Sequence, residues 1–165
     1  MNRIPTNNMG NIAINPIGGA SRIAQERIPG VLLVEDDPHL MEMNRRILQR
    51  EGFRVFEATS EQSALWLWQR HQRDIDVVFA DVMIPDRATG VELVRKLRQQ
   101  RPELRAVYTS GFGPEVAGLD EPDQGPTCFL QKPYSLRQLI DGIVDALEKP
   151  LQTALTKAEL ARCMA

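Results

Sequence analysis

Five short apolar runs punctuate the middle of this chain, with stretches of helical spacing between them. They include Val31-Leu32-Leu33-Val34, Ile75-Asp76-Val77-Val78-Phe79-Ala80-Asp81, Ala106-Val107-Tyr108-Thr109 and Thr127-Cys128-Phe129-Leu130-Gln131. Runs of this length, rich in Val, Ile, Leu and Phe and with little alternation, suit strands buried on both faces of a parallel sheet. After Asp37-Pro38, a good helix start, Leu40, Met43, Ile47 and Leu48 share one helical face. Ala64, Leu65 and Trp68 repeat the spacing after Thr59-Ser60-Glu61, and Val91, Leu93, Val94 and Leu97 do so before Arg101-Pro102. Leu136, Leu139, Ile140, Ile143 and Leu147 form the last stripe, opened by Ser135 and stopped by Pro150. The resulting order, β-α-β-α-β-α-β-(weak)-β-α, predicts an α/β sheet with right-handed crossovers. Ligands of such sheets sit beyond the carboxyl ends of the strands, at a topological switch point.

The weak link is the stretch between Ser110 and Thr127, which should hold a fourth helix. It contains three prolines, four glycines and no apolar stripe. An interior Pro costs about 3 kcal/mol and a Gly about 1 kcal/mol relative to Ala, so no more than a turn of helix is expected there. Trp68 shares the face of Ala64 and Leu65 and reads as core, whereas Trp66 lies off that face, exposed or covered by an arm or partner.

Residues 29–149 make one ordinary domain with room for a single core. Residues 1–28, rich in Asn, Gly, Pro and isolated Ile, read as a flexible arm, and 150–165 as a short tail with room for one helix. Hydrophobic and charged fractions of 42% and 25% are those of a soluble globular protein. A net charge of −2 gives no electrostatic reason to expect nucleic acid as a partner. Cys128 and Cys163 make no disulfide framework and fit a reducing compartment. No apolar stretch approaches the roughly 20 residues that span a bilayer, so no membrane partner and a cytoplasmic location are expected. His39 and His71 have no second His or Cys at ligand spacing, which argues against a transition-metal site.

The apolar runs end at useful residues. The first delivers Glu35-Asp36-Asp37, the third Asp81, the fourth Ser110 and the fifth Lys132-Pro133. Carboxylates that converge repel one another, and a hard cation such as Mg²⁺, which takes oxygen ligands and is commonly shared with phosphate, resolves the repulsion. Glu35, Asp36 and Asp81 can supply that pocket, with the backbone carbonyl of Met83 as a neutral ligand. Asp81 can also act as a nucleophile, since carboxylates accept phosphoryl groups. Lys132 supplies a compact positive charge for a phosphate oxygen and Ser110 a hydroxyl donor. Each piece alone reads equally as a helix cap or a turn; their arrival at the same end of successive strands is what selects a phosphoryl site.

At these residues, Val31–Pro38, Ala80-Asp81-Val82-Met83-Ile84-Pro85, Thr109-Ser110-Gly111 and Lys132-Pro133-Tyr134, the chain resembles the receiver domain of two-component response regulators. The resemblance covers about Pro29 to Lys149. It implies a flavodoxin-like, doubly wound five-stranded parallel sheet in order 2-1-3-4-5, here with a degenerate fourth helix. It also implies Mg²⁺-dependent transfer of a phosphoryl group from a kinase histidine, or a histidine phosphotransfer protein, to Asp81. By position, Asp36 is then the direct metal ligand, Glu35 acts mainly through water, and Asp37 caps the first helix. Ser110 and Lys132 take the places of the family's phosphate-sensing hydroxyl and lysine, and Phe129 that of its switching aromatic. Such a domain catalyses only its own phosphorylation and dephosphorylation, and the resemblance leaves a weak homodimer open. The turn from Pro85 to Gly90 looks one residue longer than the common pattern.

Two settings for the domain follow. One is a stand-alone regulator or relay, which an initiator Met favours. The other is a module of a hybrid histidine kinase, whose style the Tyr108-Thr109-Ser110-Gly111-Phe112 run shares. An aspartyl-phosphate hydrolase of the haloacid-dehalogenase type is a remote alternative, because it needs a second Asp where Met83 stands.

Overall fold

Every residue of the first strand, β1 (Gly30–Val34), and of the third, β3 (Val77–Asp81), is buried, which is what the unbroken apolar runs require. The computed structural model describes residues 27–84, 89–113 and 125–149. Among them, β2 (Arg54–Ala58), β4 (Arg105–Ser110) and β5 (Thr127–Gln131) complete a five-stranded sheet in the order β2-β1-β3-β4-β5. Every pairing is parallel. Exposed positions occur only in the edge strands, along β2 and at Gln131, the last residue of β5.

Successive strand residues point to opposite faces, and the two faces carry separate cores. Leu32, Val34, Val78, Ala80, Tyr108 and Phe129 pack under α2 (Glu61–His71) and α3 (Gly90–Arg98). Val31, Leu33, Val77, Phe79, Val107 and Leu130 pack under α1 (Pro38–Arg50) and α4 (Leu136–Glu148). Each helix starts on a side-chain cap, namely Asp37, Ser60, Thr89 and Ser135. The cap oxygens accept N–H groups that the first helical turn leaves without partners.

Two stripes are phased differently from the expectation. The buried face of α1 runs through Met41, Asn44 and Leu48, while Met43 is exposed. A polar residue in the middle of that face interrupts its apolar pattern, which shifts the expected stripe one position round the helix. Leu136 is likewise exposed, because it opens α4 before the helix reaches the sheet; Leu139, Gly142, Ile143 and Ala146 form the buried face. Trp68 is fully buried and its indole N–H donates to Gln100 at 3.0 Å. Trp66 is exposed, with the Arg70 guanidinium 3.9 Å above its ring. The expected helix degeneracy between β4 and β5, the long turn after Pro85, the arm before residue 27 and the tail from residue 150 lie outside the described residues.

Candidate functional site

The order of the sheet reverses beside β1, which has β2 on one side and β3 on the other. At the carboxyl ends of those strands stand Glu35, one residue past β1, and Asp81, the last residue of β3. Both are buried, at 1% and 8% exposure. Backbone bonds fix the ends of the strands: Glu35 N–H donates to Ala58, Val82 N–H to Thr109, and Lys132 N–H to Ser110 at 2.7 Å. The last of these brings Lys132, just past β5, inward. Its Nζ donates to Glu35 Oε2 at 2.9 Å and to Asp81 Oδ2 at 2.5 Å.

Asp36 completes the group. Carboxylate oxygens of Glu35, Asp36 and Asp81 lie within 4.8 Å of one another. Two ionised carboxylates at that separation repel by roughly 3–4 kcal/mol at an effective dielectric near 20. One ammonium cannot neutralise three such groups, so the pocket keeps an excess of negative charge. Burial pushes the Glu35 carboxyl above its ordinary value, against the opposing pull of the Lys132 hydrogen bond. For Lys132 burial acts downward, but the bonds to Asp81 and Glu35 outweigh it and hold the ammonium above its ordinary range. Asp37 faces outward, and N–H donors from Leu40 and His39 hold it below the usual carboxylate range.

The remaining expected residues border this cluster. Met83 N–H donates to Asp81 Oδ1 at 2.9 Å, and its side chain is exposed. Ser110 is buried and its Oγ accepts the Phe112 N–H at 3.1 Å; its link to Lys132 runs through its backbone carbonyl. Phe129 lies three residues before Lys132, fully buried against the α2–α3 face of the sheet and away from the carboxylates. A hard dication suits the oxygen donor set, and Glu35, Asp36 and Asp81 could hold it.

Two parts of the surroundings were missed. Gly90 opens α3 against the back of β3, where a Cβ would come within 2.1 Å of the Asp81 carbonyl oxygen. Buried Asn44 and Thr109 and half-buried Tyr134 form a polar group beside the Lys132 turn. A polar residue four positions from both Leu40 and Leu48 was the signal for Asn44.

The segment also has relatives. It is 34% identical over 119 residues to the sensor kinase CckA of Brucella abortus (strain 2308), an alignment covering 72% of this chain and 12% of that kinase. It is 26% identical over 129 residues to the DNA-binding transcriptional regulator NtrC of Azospirillum brasilense, covering 78% of this chain and 26% of that regulator. The chain therefore spans only an eighth to a quarter of these relatives. Among solved structures, the receiver domain of NtrX from Brucella abortus superposes with a TM-score of 0.64 at 28% identity, covering 73% of this chain and 99% of that one. The profile of the response regulator receiver domain matches residues 31–144, and the chain belongs to that family, the phosphoacceptor domains of two-component signalling.

Proposed function

We propose that this receiver accepts a phosphoryl group on Asp81 from a histidine kinase or histidine phosphotransfer protein, and that the reaction depends on Mg²⁺. The observation that carries the reading is the ammonium of Lys132 bridging Asp81 and Glu35, with Asp36 completing a cluster short of positive charge. Asp81 supplies the attacking oxygen: its bond to phosphorus forms as the phosphorus–nitrogen bond of the donor breaks, and the electron pair stays with the imidazole. Met83 N–H, on the other carboxylate oxygen, and Lys132 fix the direction in which that oxygen faces. Lys132 then has a phosphoryl oxygen to bind once Asp81 carries the acyl phosphate. Glu35, Asp36, Asp81 and the Met83 carbonyl would hold the Mg²⁺, which when bound screens the incoming phosphoryl charge.

Ser110 and Phe129 carry the response in this reading. Phosphorylation adds roughly −1.5 to −2 charges and strong acceptor oxygens. The Ser110 hydroxyl moves toward them, and Phe129 repacks beside it. The domain modifies only itself, in the cytoplasm, and signals through its partner. Its likeness to a segment of a sensor kinase supports a second setting, a receiver module that works inside a hybrid kinase.

Intact mass after treatment with acetyl phosphate and Mg²⁺ tests the assignment. One added phosphoryl group on the wild type and none on Asp81→Asn is expected. Equal labelling of the two proteins would overturn it.

A further inference from the structure

Asn44 is fully buried on α1, between Met41 and Leu48, where an apolar side chain would pack without cost. Its Nδ2 donates to the Tyr134 hydroxyl at 3.0 Å, and its Oδ1 has no hydrogen-bond partner among the described residues. Thr109, one residue before Ser110, is also buried, and its side chain reaches the Tyr134 hydroxyl. Burial holds that hydroxyl in its neutral, proton-bearing form. The Tyr134 ring stands edge-on to Phe79, with centroids 6.0 Å apart and planes at 81°.

These contacts have one geometric consequence. Tyr134 follows Lys132 by two residues and touches β3 two residues before Asp81, β4 next to Ser110, and α1, the helix that begins after Glu35-Asp36. A buried carbonyl without a donor is expensive, and broken core rules are expected where a site needs them. We propose that Asn44 and Tyr134 are positioning residues, a polar strap that holds the Lys132 turn so that its ammonium stays between Glu35 and Asp81. The inference rests on Asp81 as phosphoacceptor, and assigns a role to two residues that touch neither phosphoryl group nor metal.

Misplacing a reacting group by about 1 Å costs up to about 100-fold in rate, and a loosened turn costs less. The full chain is labelled with acetyl phosphate and Mg²⁺, and initial rates are taken for wild type, Tyr134→Phe, Asn44→Leu and the double variant, with thermal melts alongside. Each single variant should slow labelling by about five- to tenfold, within the range that misplacement allows. The double variant should be no slower than the slower single one, because the two act through one bond. Asn44→Leu should melt at or above the wild-type temperature, since it removes the unpaired carbonyl. Tyr134→Phe keeps the ring and its packing, so its slowing reads the hydroxyl alone. Unchanged rates, additive slowing in the double variant, or a fall in melting temperature of Asn44→Leu that accounts for its slowing would each overturn the strap. A wild type that takes no label at Asp81 would overturn the phosphoacceptor reading and the strap with it. A labelled wild type with equally fast variants overturns the strap alone.

Discussion

The two ends of the parallel sheet hold the same kinds of charged residue and treat them in opposite ways. At the amino-terminal ends, Arg27 donates to the Arg73 carbonyl and to Asp76, and Arg101 to the carbonyls of Gln72 and Ile75. Arg98, only 5% exposed, donates to the carbonyls of Leu104 and Pro126 and to the Thr127 hydroxyl. These guanidinium forks close loops, and their anionic partners are exposed or shared. At the carboxyl ends, one ammonium faces two buried carboxylates with a third beside them. The difference lies in balance rather than in composition. Cations matched to carbonyls hold a structure, while carboxylates in excess of cations keep a place for another positive charge.

Glycine substitution gives the largest test of that contrast, because each end has a glycine pressed on a backbone carbonyl. A Cβ on Gly30 would lie 1.8 Å from the Asp74 oxygen, and one on Gly90 would lie 2.1 Å from the Asp81 oxygen. Neither carbonyl can swing aside, so Gly30→Ala and Gly90→Ala should each destabilise by about 3 kcal/mol, the upper part of the overpacking range. The functional outcomes should diverge. Gly90→Ala displaces the residue at the centre of the site, and should lose phosphoryl uptake even well below its melting temperature. Gly30→Ala should keep uptake per folded molecule. Equal uptake in the two would show that the ends are not separable.

Removing a cation from each end comes next. Lys132→Met leaves Glu35 and Asp81 facing each other, which should cost about 3 kcal/mol; the ammonium is 20% exposed, and solvent screening keeps the loss at the low end of the buried-pair range. Arg98→Met deprives the Leu104 carbonyl of its donor, at about 2 kcal/mol. A dication that binds only the folded state stabilises it by mass action. Millimolar Mg²⁺ should therefore restore the denaturation midpoint of Lys132→Met by more than it raises that of wild type, and should give Arg98→Met no such excess. An equal Mg²⁺ shift in both variants would break the comparison.

The carboxyl end was also the more legible one from sequence. Glu35, Asp81, Ser110 and Lys132 each stand at the end of an apolar run, so placing the strands placed the site. The strands themselves announced burial on both faces, and caps such as Ser60 and Ser135 carry their signal within three residues. Contacts formed across long stretches of chain were not legible. The Asn44–Tyr134 bond joins residues 90 positions apart, and the Arg98–Pro126 bond residues 28 apart, and neither leaves a local pattern. Asn44 in addition replaced an apolar residue in its own stripe, which is why the α1 face was phased one residue off. Gly90 was placed only as the end of a turn, because the close approach that demands it belongs to a strand nine residues earlier.

A smaller, pH-dependent effect separates two carboxylates at the same end of the sheet. With a chelator present, burial holds folded Glu35 above 4.5, so the native state binds more protons than the unfolded state just above that pH. Stability then falls as pH rises through the window upward from 4.5. Asp37 is the reverse: its folded value lies below 3.8, so its contribution is present above 3.8 and lost as pH falls through the folded value. Glu35→Gln should flatten the first slope and leave the second. Urea midpoints across that range measure both, and an unchanged slope above pH 4.5 in Glu35→Gln would remove burial as its cause.

The smallest expected effect concerns how long the phosphoryl group lasts. Met83 and Phe112 are exposed at 64% and 61%, and their N–H groups are anchored to Asp81 and to Ser110 respectively, so both residues flank the site. Hydrolysis needs a water in line with the phosphorus–oxygen bond of the aspartyl phosphate, and a side chain that accepts a proton from that water speeds its attack. Thioether and phenyl groups accept none. The phosphorylated domain should therefore decay slowly by itself and depend on a partner for turnover. Met83→Glu and Phe112→Asn should each shorten the half-life, by up to about tenfold, equivalent to 1.4 kcal/mol of barrier. Ile28, 57% exposed beside the entry to β1, is the matching apolar residue at the opposite end, and Ile28→Asn should leave the decay unchanged. Single-turnover decay of purified phosphoprotein compares the three. If Ile28→Asn shortens the lifetime as much as the other two, surface polarity in general rather than access to Asp81 sets the rate, and the site would owe its lifetime to no residue that borders it.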